Sequence, residues 1–384
     1  MSPTARRVSL NGLFLDYPHS GTWTYTRNLA AAMAANRDRY AVTICTRRAG
    51  WEDAPAGIEV RRVHLPGSRR RTSEWYERGD KFLWETVLWP AASGGTGILH
   101  SPYFAAPLWS PWPLVVTVHD TISLQPRFTR GRAALVYASV MHRTVLRAAA
   151  IITVSQFSKT EIAAALDYPL DRIHVTYEAP DPRLRPLRST SETLRVRQKY
   201  RLPERFALYL GGTERRKNIE VLIHAWRLEP SPKLPLVVVG RFRGASDPLF
   251  PDIPALAASL GLGEAVRFVP SVEEADLAAV YSLAEVFCFP SIYEGFGLPP
   301  LEAMACGTPV LCSNASSLPE VTGDGALLLP PDDAGAWNRA VRRIEDDRQG
   351  REDLAAKGSA RVGRFSWEQT AAQTFAVYDL ALGG

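Results

Sequence analysis

The stretch VFCFPSIYEGFGLPPLEAMACGTPVLCSNASSLPE, residues 286–320, constrains the fold more than any other part of the chain. Its opening apolar run, Val286 to Phe289, reads as a buried strand. A turn follows with Glu294, Gly295, Phe296 and Gly297. Pro299 and Pro300 suit the first turn of a helix, where the backbone N–H groups have no intrahelical partner. The helix runs through Leu301 to Ala305, Gly307 stops it, and a second strand follows at 309–312. Strand, loop, helix and strand make one unit of a parallel sheet. In open α/β sheets, ligands bind at the carboxyl ends of the strands.

The loop has its own chemistry. Glycines at 295 and 297 let backbone approach a ligand, and the N–H groups of a helix start attract an anion such as phosphate. Glu294 has the wrong sign for a phosphate ligand and suits hydroxyls instead. Glu302, on the first helical turn, has the same capacity. Two carboxylates astride a phosphate-seeking helix start describe a ligand with hydroxyls on both sides of a diphosphate, and a nucleotide sugar answers to that.

Further along the chain, short apolar runs alternate with helical stretches. Strands are expected at Val8–Leu13, 41–45, 58–63, 98–100, 114–119, 150–154 and 173–177 in the first half, and at 206–210, 236–240, 266–269 and 326–329 in the second. A helix is expected from about Arg27, with Gly21 just before it, and a capping box at Ser158–Glu161 starts another. LVVTVHD is a continuous apolar run of the kind buried in a parallel sheet, and it ends in His119 and Asp120. The Pro-, Ser- and Arg-rich EAPDPRLRPLRSTSET reads as a linker. Beyond it, GGTERRKNIEVLIHAW reads as strand, glycine turn, basic cluster and helix, with Lys217 at the turn. A departing diphosphate gains negative charge, and a positioned cation supplements what one helix start supplies. In the tail, Trp367, Ala371, Phe375, Tyr378 and Leu382 recur at helical spacing.

A chain of 384 residues exceeds one compact core and points to two domains. The expected division is a first domain at 1–180, a linker at 181–204, a second domain at 205–365 and a helical tail at 366–384.

Composition narrows the function classes. Residues 1–180 hold 21 Lys and Arg against 14 Asp and Glu, a balance of +7, while the remainder carries −2. A basic first half suits an anionic membrane surface or a diphosphate acceptor. Its densest cluster, Arg69 to Arg71, is followed by Trp75, Tyr76, Phe82, Trp84 and Trp89, which suits either a membrane interface or an exposed loop with solvated arginines. No nucleic-acid reader motif is present, and no G-x-G-x-x-G follows the first strand. The N-terminus lacks the apolar stretch of a signal peptide, and no apolar run has the length of a membrane span, so a cytoplasmic enzyme is the expectation, either free or peripheral on the inner face of the membrane. The four cysteines form no CxxC pair and read as core thiols, and neither they nor the seven histidines cluster at zinc-ligand spacing.

With its surroundings, EGFGLPPLEAMACGTPV resembles the Glu-x7-Glu signature of the family 4 retaining glycosyltransferases, with Glu294 and Glu302 at the two Glu positions. The resemblance extends over nearly the whole chain and implies the GT-B architecture, an α/β fold of two Rossmann-like domains facing across a cleft, with the acceptor domain at 1–180, the nucleotide-sugar domain at 205–365 and the helix at 366–384 crossing back to the first domain. It implies transfer of a sugar from a nucleotide sugar to an acceptor hydroxyl with retained configuration, with no metal and no cofactor. GDP-mannose is the favoured donor because VTVHD looks like mannosyl- and related transferases, with UDP- and dTDP-sugars next. The acceptor it implies is a lipid-linked or cell-surface glycan. By the same resemblance His119 contacts the donor sugar, Lys217 the diphosphate with Arg216 beside it, and Gly21 approaches the diphosphate and acceptor. Glu294 holds sugar hydroxyls with the amides around Gly295, Phe296 and Gly297, Leu298 opens the phosphate-facing helix, and Glu302 holds the ribose. Two other readings share the fold: a nucleotide-sugar 2-epimerase, and a non-catalytic nucleotide-sugar-binding partner of another transferase.

Overall fold

The computed structural model describes residues 6–383 apart from 19, 37, 48–50, 53, 64–73, 96, 108, 130–131, 188 and 243–246. The chain divides into two compact units, residues 1–178 with 366–384, and residues 179–365.

The first unit is built on a seven-stranded sheet of β1 (Arg6–Asn11), β2 (Tyr40–Thr46), β3 (Ile58–Arg62), β4 (Ile98–Ser101), β5 (Leu114–Thr117), β6 (Ala150–Thr153) and β7 (Ile173–Val175). Their order is β3-β2-β1-β4-β5-β6-β7 and every pairing is parallel. Parallel neighbours need crossover connections, and helices such as Gly21–Ala34 and Gln156–Leu166 supply them. Strands β4, β5 and β6 are buried throughout, and β5 and β6 read as largely apolar runs while β4 carries His100 and Ser101 into the interior. The chain order reverses between β1 and β4, the position where such sheets open a crevice.

The helix Trp367–Ala381 belongs to this unit and closes its core. Trp367, Ala371, Phe375 and Tyr378 are buried. Phe375 stacks on Tyr40 with ring centroids 5.0 Å apart. Thr370 donates to the Tyr177 carbonyl at 2.6 Å, and Tyr40 donates to Asp379 at 2.6 Å.

The second unit holds β8 (Ala207–Leu210), β9 (Leu236–Val239), β10 (Val266–Val269), β11 (Val286–Phe289), β12 (Val310–Ser313) and β13 (Ala326–Leu329). This sheet is also parallel, in the order β10-β9-β8-β11-β12-β13. Its reversal falls between β8 and β11. The basic turn follows β8 and the Glu294 loop follows β11, so the topology brings both to the carboxyl ends of the two central strands.

Several local expectations are corrected. The first helix begins at Gly21, not near Arg27, because Ser20 caps it by accepting from the Trp23 N–H at 3.1 Å. Ser155, not Ser158, caps the helix Gln156–Leu166. The Pro-, Ser- and Arg-rich stretch carries a helix of its own, Thr190–Lys199, within the second unit. That helix buries only Val196 and is held through Asp276, which accepts from Lys199 at 2.8 Å and Tyr200 at 2.7 Å and pairs with Arg195. Trp84 and Trp89 are core residues rather than interfacial ones, with indole N–H groups donating to Asn11 Oδ1 at 2.8 Å and Ser9 Oγ at 3.3 Å. Phe82 is exposed, while Arg69 to Arg71 and the side chains of Trp75 and Tyr76 lie outside the described residues. All four cysteines are free thiols and buried.

Candidate functional site

The second unit supplies a buried ionic cluster at the β8/β11 reversal. After β8 the chain makes a short 3-10 turn, Arg215–Lys217, and Asn218 follows with φ +56° before the helix Ile219–Arg227. That left-handed residue brings the turn against the loop after β11. Asn218 Nδ2 donates to the Pro290 carbonyl at 3.2 Å, and the Ile292 N–H donates to the Arg216 carbonyl at 2.8 Å. With the backbones tied, the side chains meet. Lys217 Nζ donates to Glu294 Oε1 at 2.7 Å. Arg216 Nη1 donates to Glu294 Oε2 at 3.1 Å and to the Tyr293 carbonyl at 3.1 Å. Ser291 Oγ donates to Glu294 Oε1 at 2.5 Å. Lys217 and Glu294 are 9% and 8% exposed, so these charges interact with little screening by water.

The electrostatics follow from the burial. Burial opposes ionisation of Glu294, but the Lys217 and Arg216 charges outweigh it and hold the carboxyl below its ordinary range. Burial lowers the Lys217 ammonium from its usual value, with the Glu294 charge opposing that effect. An ionised carboxylate offers about four acceptor positions. Three are taken here, by Lys217, Arg216 and Ser291, leaving room for one more donor on Oε2.

The loop beyond Glu294 is equally constrained. Glu294 N–H donates to Ser316 Oγ at 3.0 Å, and Ser317 Oγ donates to the carbonyls of Glu294 and Phe296 at 3.1 and 2.7 Å. Gly297 has φ +115° and leads into the helix Leu298–Ala305. A Cβ at that position meets Leu318 Cδ2 at 2.6 Å. Gly297→Ala therefore meets both an unfavourable backbone conformation and a steric clash. It is expected to lower the unfolding midpoint by the equivalent of about 1–3 kcal/mol, read by calorimetry, and to weaken nucleotide binding because the helix start is displaced. Glu302 lies further along the helix, half-buried, and accepts from the Tyr281 hydroxyl at 2.9 Å.

In the first unit, His119 follows β5. Its Nδ1 is 3.0 Å from Glu178 Oε1 and its Nε2 is 3.0 Å from the Pro102 carbonyl. The Tyr25 ring meets it edge to face at 4.7 Å, and its carbonyl accepts from Ser158 Oγ at 3.0 Å. Asp120, the next residue, accepts from the Ile122 N–H at 2.8 Å. The carboxylate bonded to the ring is Glu178, and its signal in the sequence is an acid three residues after β7, the first of the two in VTYEAPD. Gly21 is the first residue of its helix, and a Cβ there meets nothing within 4 Å. Local packing therefore does not call for glycine at that position.

The structure thus unites Lys217, Arg216 and Glu294 in one cluster, with Gly295, Phe296, Gly297 and Leu298 in the loop beside it and Glu302 on the following helix. His119 and Gly21 belong to the first unit. Among the described residues, no group of His, Cys, Asp and Glu is arranged to hold a metal ion.

Comparison with known proteins agrees with this geometry. The family model "Glycosyl transferases group 1" matches residues 191–361, and "Glycosyltransferase Family 4" matches residues 19–184. The chain is 39% identical over 289 residues to O-antigen chain mannosyltransferase B of Escherichia coli, covering 74% of this chain and 74% of that protein. Among solved structures, sucrose-phosphate synthase from Thermosynechococcus elongatus superimposes with a TM-score of 0.74 at 25% identity, covering 98% of both chains. The Anabaena protein HepE, solved in complex with UDP and glucose, has the same fold, with a TM-score of 0.73 at 18% identity over 96% of this chain and 98% of that one. An intact acidic and basic cluster at the reversal of a parallel sheet, two matching family models and a relative this similar leave one assignment: the chain belongs to glycosyltransferase family 4 and is a glycosyltransferase of the GT-B fold.

Proposed function

We propose that this enzyme moves a mannosyl group from GDP-mannose to a hydroxyl of a lipid-linked or cell-surface glycan, with retention of configuration and without a metal. The observation that carries the reading is the buried Lys217–Arg216–Glu294 cluster beside the Gly297–Leu298 helix start. Two cations fixed on one carboxylate supply the charge that a departing diphosphate needs, and the helix N–H groups add to it. The mannosyl donor and the glycan acceptor are supported by the O-antigen mannosyltransferase relative, and a nucleotide-sugar donor by the fold's likeness to HepE with UDP and glucose.

In this reaction the bond between the anomeric carbon and the diphosphate oxygen breaks as the acceptor oxygen bonds to that carbon on the same face. The acceptor's proton passes to the leaving diphosphate. Lys217 and Arg216 stabilise the diphosphate charge, and Glu294 keeps both cations in place while its remaining acceptor position takes a sugar hydroxyl. Gly295, Phe296 and Gly297 bring backbone amides near the sugar, Glu302 takes the ribose hydroxyls, His119 the sugar, and Gly21 lets backbone approach the diphosphate and acceptor. No helix of the described residues is long and apolar enough to cross a membrane. Peripheral attachment at the inner face through the basic first half is part of the proposal.

The test is turnover of GDP-, UDP- and dTDP-sugars by purified protein in EDTA with a lipid-linked glycan acceptor. GDP-mannose is expected to be consumed fastest and to yield an α-linked mannosyl product. A requirement for divalent metal, or conversion of the donor to its 2-epimer without transfer, contradicts the proposal.

A further inference from the structure

His119 is fixed between two acceptors. The Pro102 carbonyl, 3.0 Å from Nε2, can only accept, so Nε2 carries a hydrogen. Glu178, 3.0 Å from Nδ1, also only accepts when ionised, so Nδ1 carries one too. A neutral imidazole has one N–H and cannot satisfy both. The second proton has two places to sit, the ring or the carboxylate, and imidazole is the more basic of the two groups.

His100, buried in the same unit, provides the contrast. Its partners are hydroxyls, Tyr378 at 2.6 Å from Nδ1 and Thr117 at 2.9 Å from Nε2. A hydroxyl donates or accepts as required, so His100 needs a single proton, and burial pushes its pKa down to about 3. Burial acts on His119 in the same direction. There, however, the Glu178 bond and charge, the Pro102 carbonyl and Asp120 outweigh it and raise the pKa above the usual histidine value. The ring of Tyr25 and the neutral His100 bring no compensating charge to this region.

We infer that His119 is held as an imidazolium by Glu178 and the Pro102 carbonyl, and that Glu178 is a positioning residue that fixes this charge and orientation for sugar transfer. The second half of the inference rests on the proposed placing of His119 at the donor sugar. Its consequence is chemical: both ring nitrogens carry protons, so His119 has no lone pair with which to deprotonate the acceptor. The contribution of the pair is complete below the unfolded histidine value and is lost as pH rises through the raised folded value. A general base would give the opposite dependence, gaining activity as the ring deprotonates.

The test uses full-length protein labelled with ¹⁵N-histidine, with His119 assigned by its loss in His119→Asn. Two-bond ¹H–¹⁵N correlations at pH 7 are expected to give the doubly protonated pattern for His119 and a single-protonated pattern for His100. In Glu178→Gln the His119 signal is expected to change to a neutral tautomer at the same pH. Turnover by that variant should fall about 100-fold in kcat, with the donor KM within about threefold and the alkaline limb of the pH profile moved to lower pH. A neutral His119 in the wild type overturns the charge assignment, and needs no variant to fold. An imidazolium in the wild type with unchanged kcat in Glu178→Gln overturns the positioning role. If no nucleotide sugar is turned over by the wild type, the functional reading fails, while the NMR result still decides the charge.

Discussion

Replacing Lys217 with alanine will lower kcat for donor turnover by about 10²- to 10³-fold, while the protein remains folded. The two halves of that expectation have separate causes. Lys217 is the cation closest to Glu294, at 2.7 Å, and its ammonium lies over the Phe289 ring at 5.1 Å. It has little freedom to be replaced by a neighbour. The charge it offers the departing diphosphate is needed most as the bond breaks, so its loss appears in kcat more than in KM. The fold survives because Glu294 keeps Arg216 at 3.1 Å and Ser291 at 2.5 Å and is not left as an isolated buried anion. Lys217→Arg is expected to restore little, since a planar guanidinium does not reproduce a compact ammonium in a buried space. Initial rates with thermal melts of each variant check both halves. A Lys217→Ala enzyme within threefold of wild type contradicts the role.

Glu294→Ala will have the larger effect on stability. It leaves Lys217 and the partly buried Arg216 without the anion that both contact. Removing one partner from a buried ion pair costs about 3–5 kcal/mol. The unit of residues 179–365 is of the size for which each kcal/mol moves the midpoint by about 2–4 °C, so a fall of roughly 10 °C is expected. Turnover should be lost as well, because Lys217 no longer has a fixed position. The wild type carries the matching pH signature. Glu294 has a carboxyl pKa depressed below its ordinary value, so its stabilisation is present above the unfolded carboxylate range and is lost as pH falls through the folded value. The midpoint difference between wild type and Glu294→Ala should therefore shrink below about pH 4. A difference that persists unchanged into acid would mean that packing, not charge, holds the loop.

How much of this was legible in the sequence depended on whether the determinant was local. Strands β5, β8, β9 and β11 were legible because each is buried on both faces and reads as a continuous apolar run. The Glu294 loop was legible because its glycine and prolines are placed by backbone geometry. The helix Thr190–Lys199 was hidden, since it buries only Val196 and is held through ion pairs with a residue 77 to 81 positions away. The helix start at Gly21 is set by the Ser20 cap, a single-residue signal fainter than the alanine-rich run that follows it. Trp84 and Trp89 read as interfacial from their neighbours, yet their N–H groups find partners on β1. Lys217 and Glu294 each stood out singly, but their contact comes from strand order, which local pattern does not specify. Glu178 acquires its meaning only from His119, 59 residues earlier.

The most direct test of the account is a calorimetric titration of GDP into wild type and Lys217→Ala, both in EDTA. The account predicts metal-free binding to the wild type and an affinity at least about tenfold weaker in the variant, equivalent to about 1.4 kcal/mol. Equal affinities in the two proteins would contradict it, because the buried cation would then have no part in holding the diphosphate.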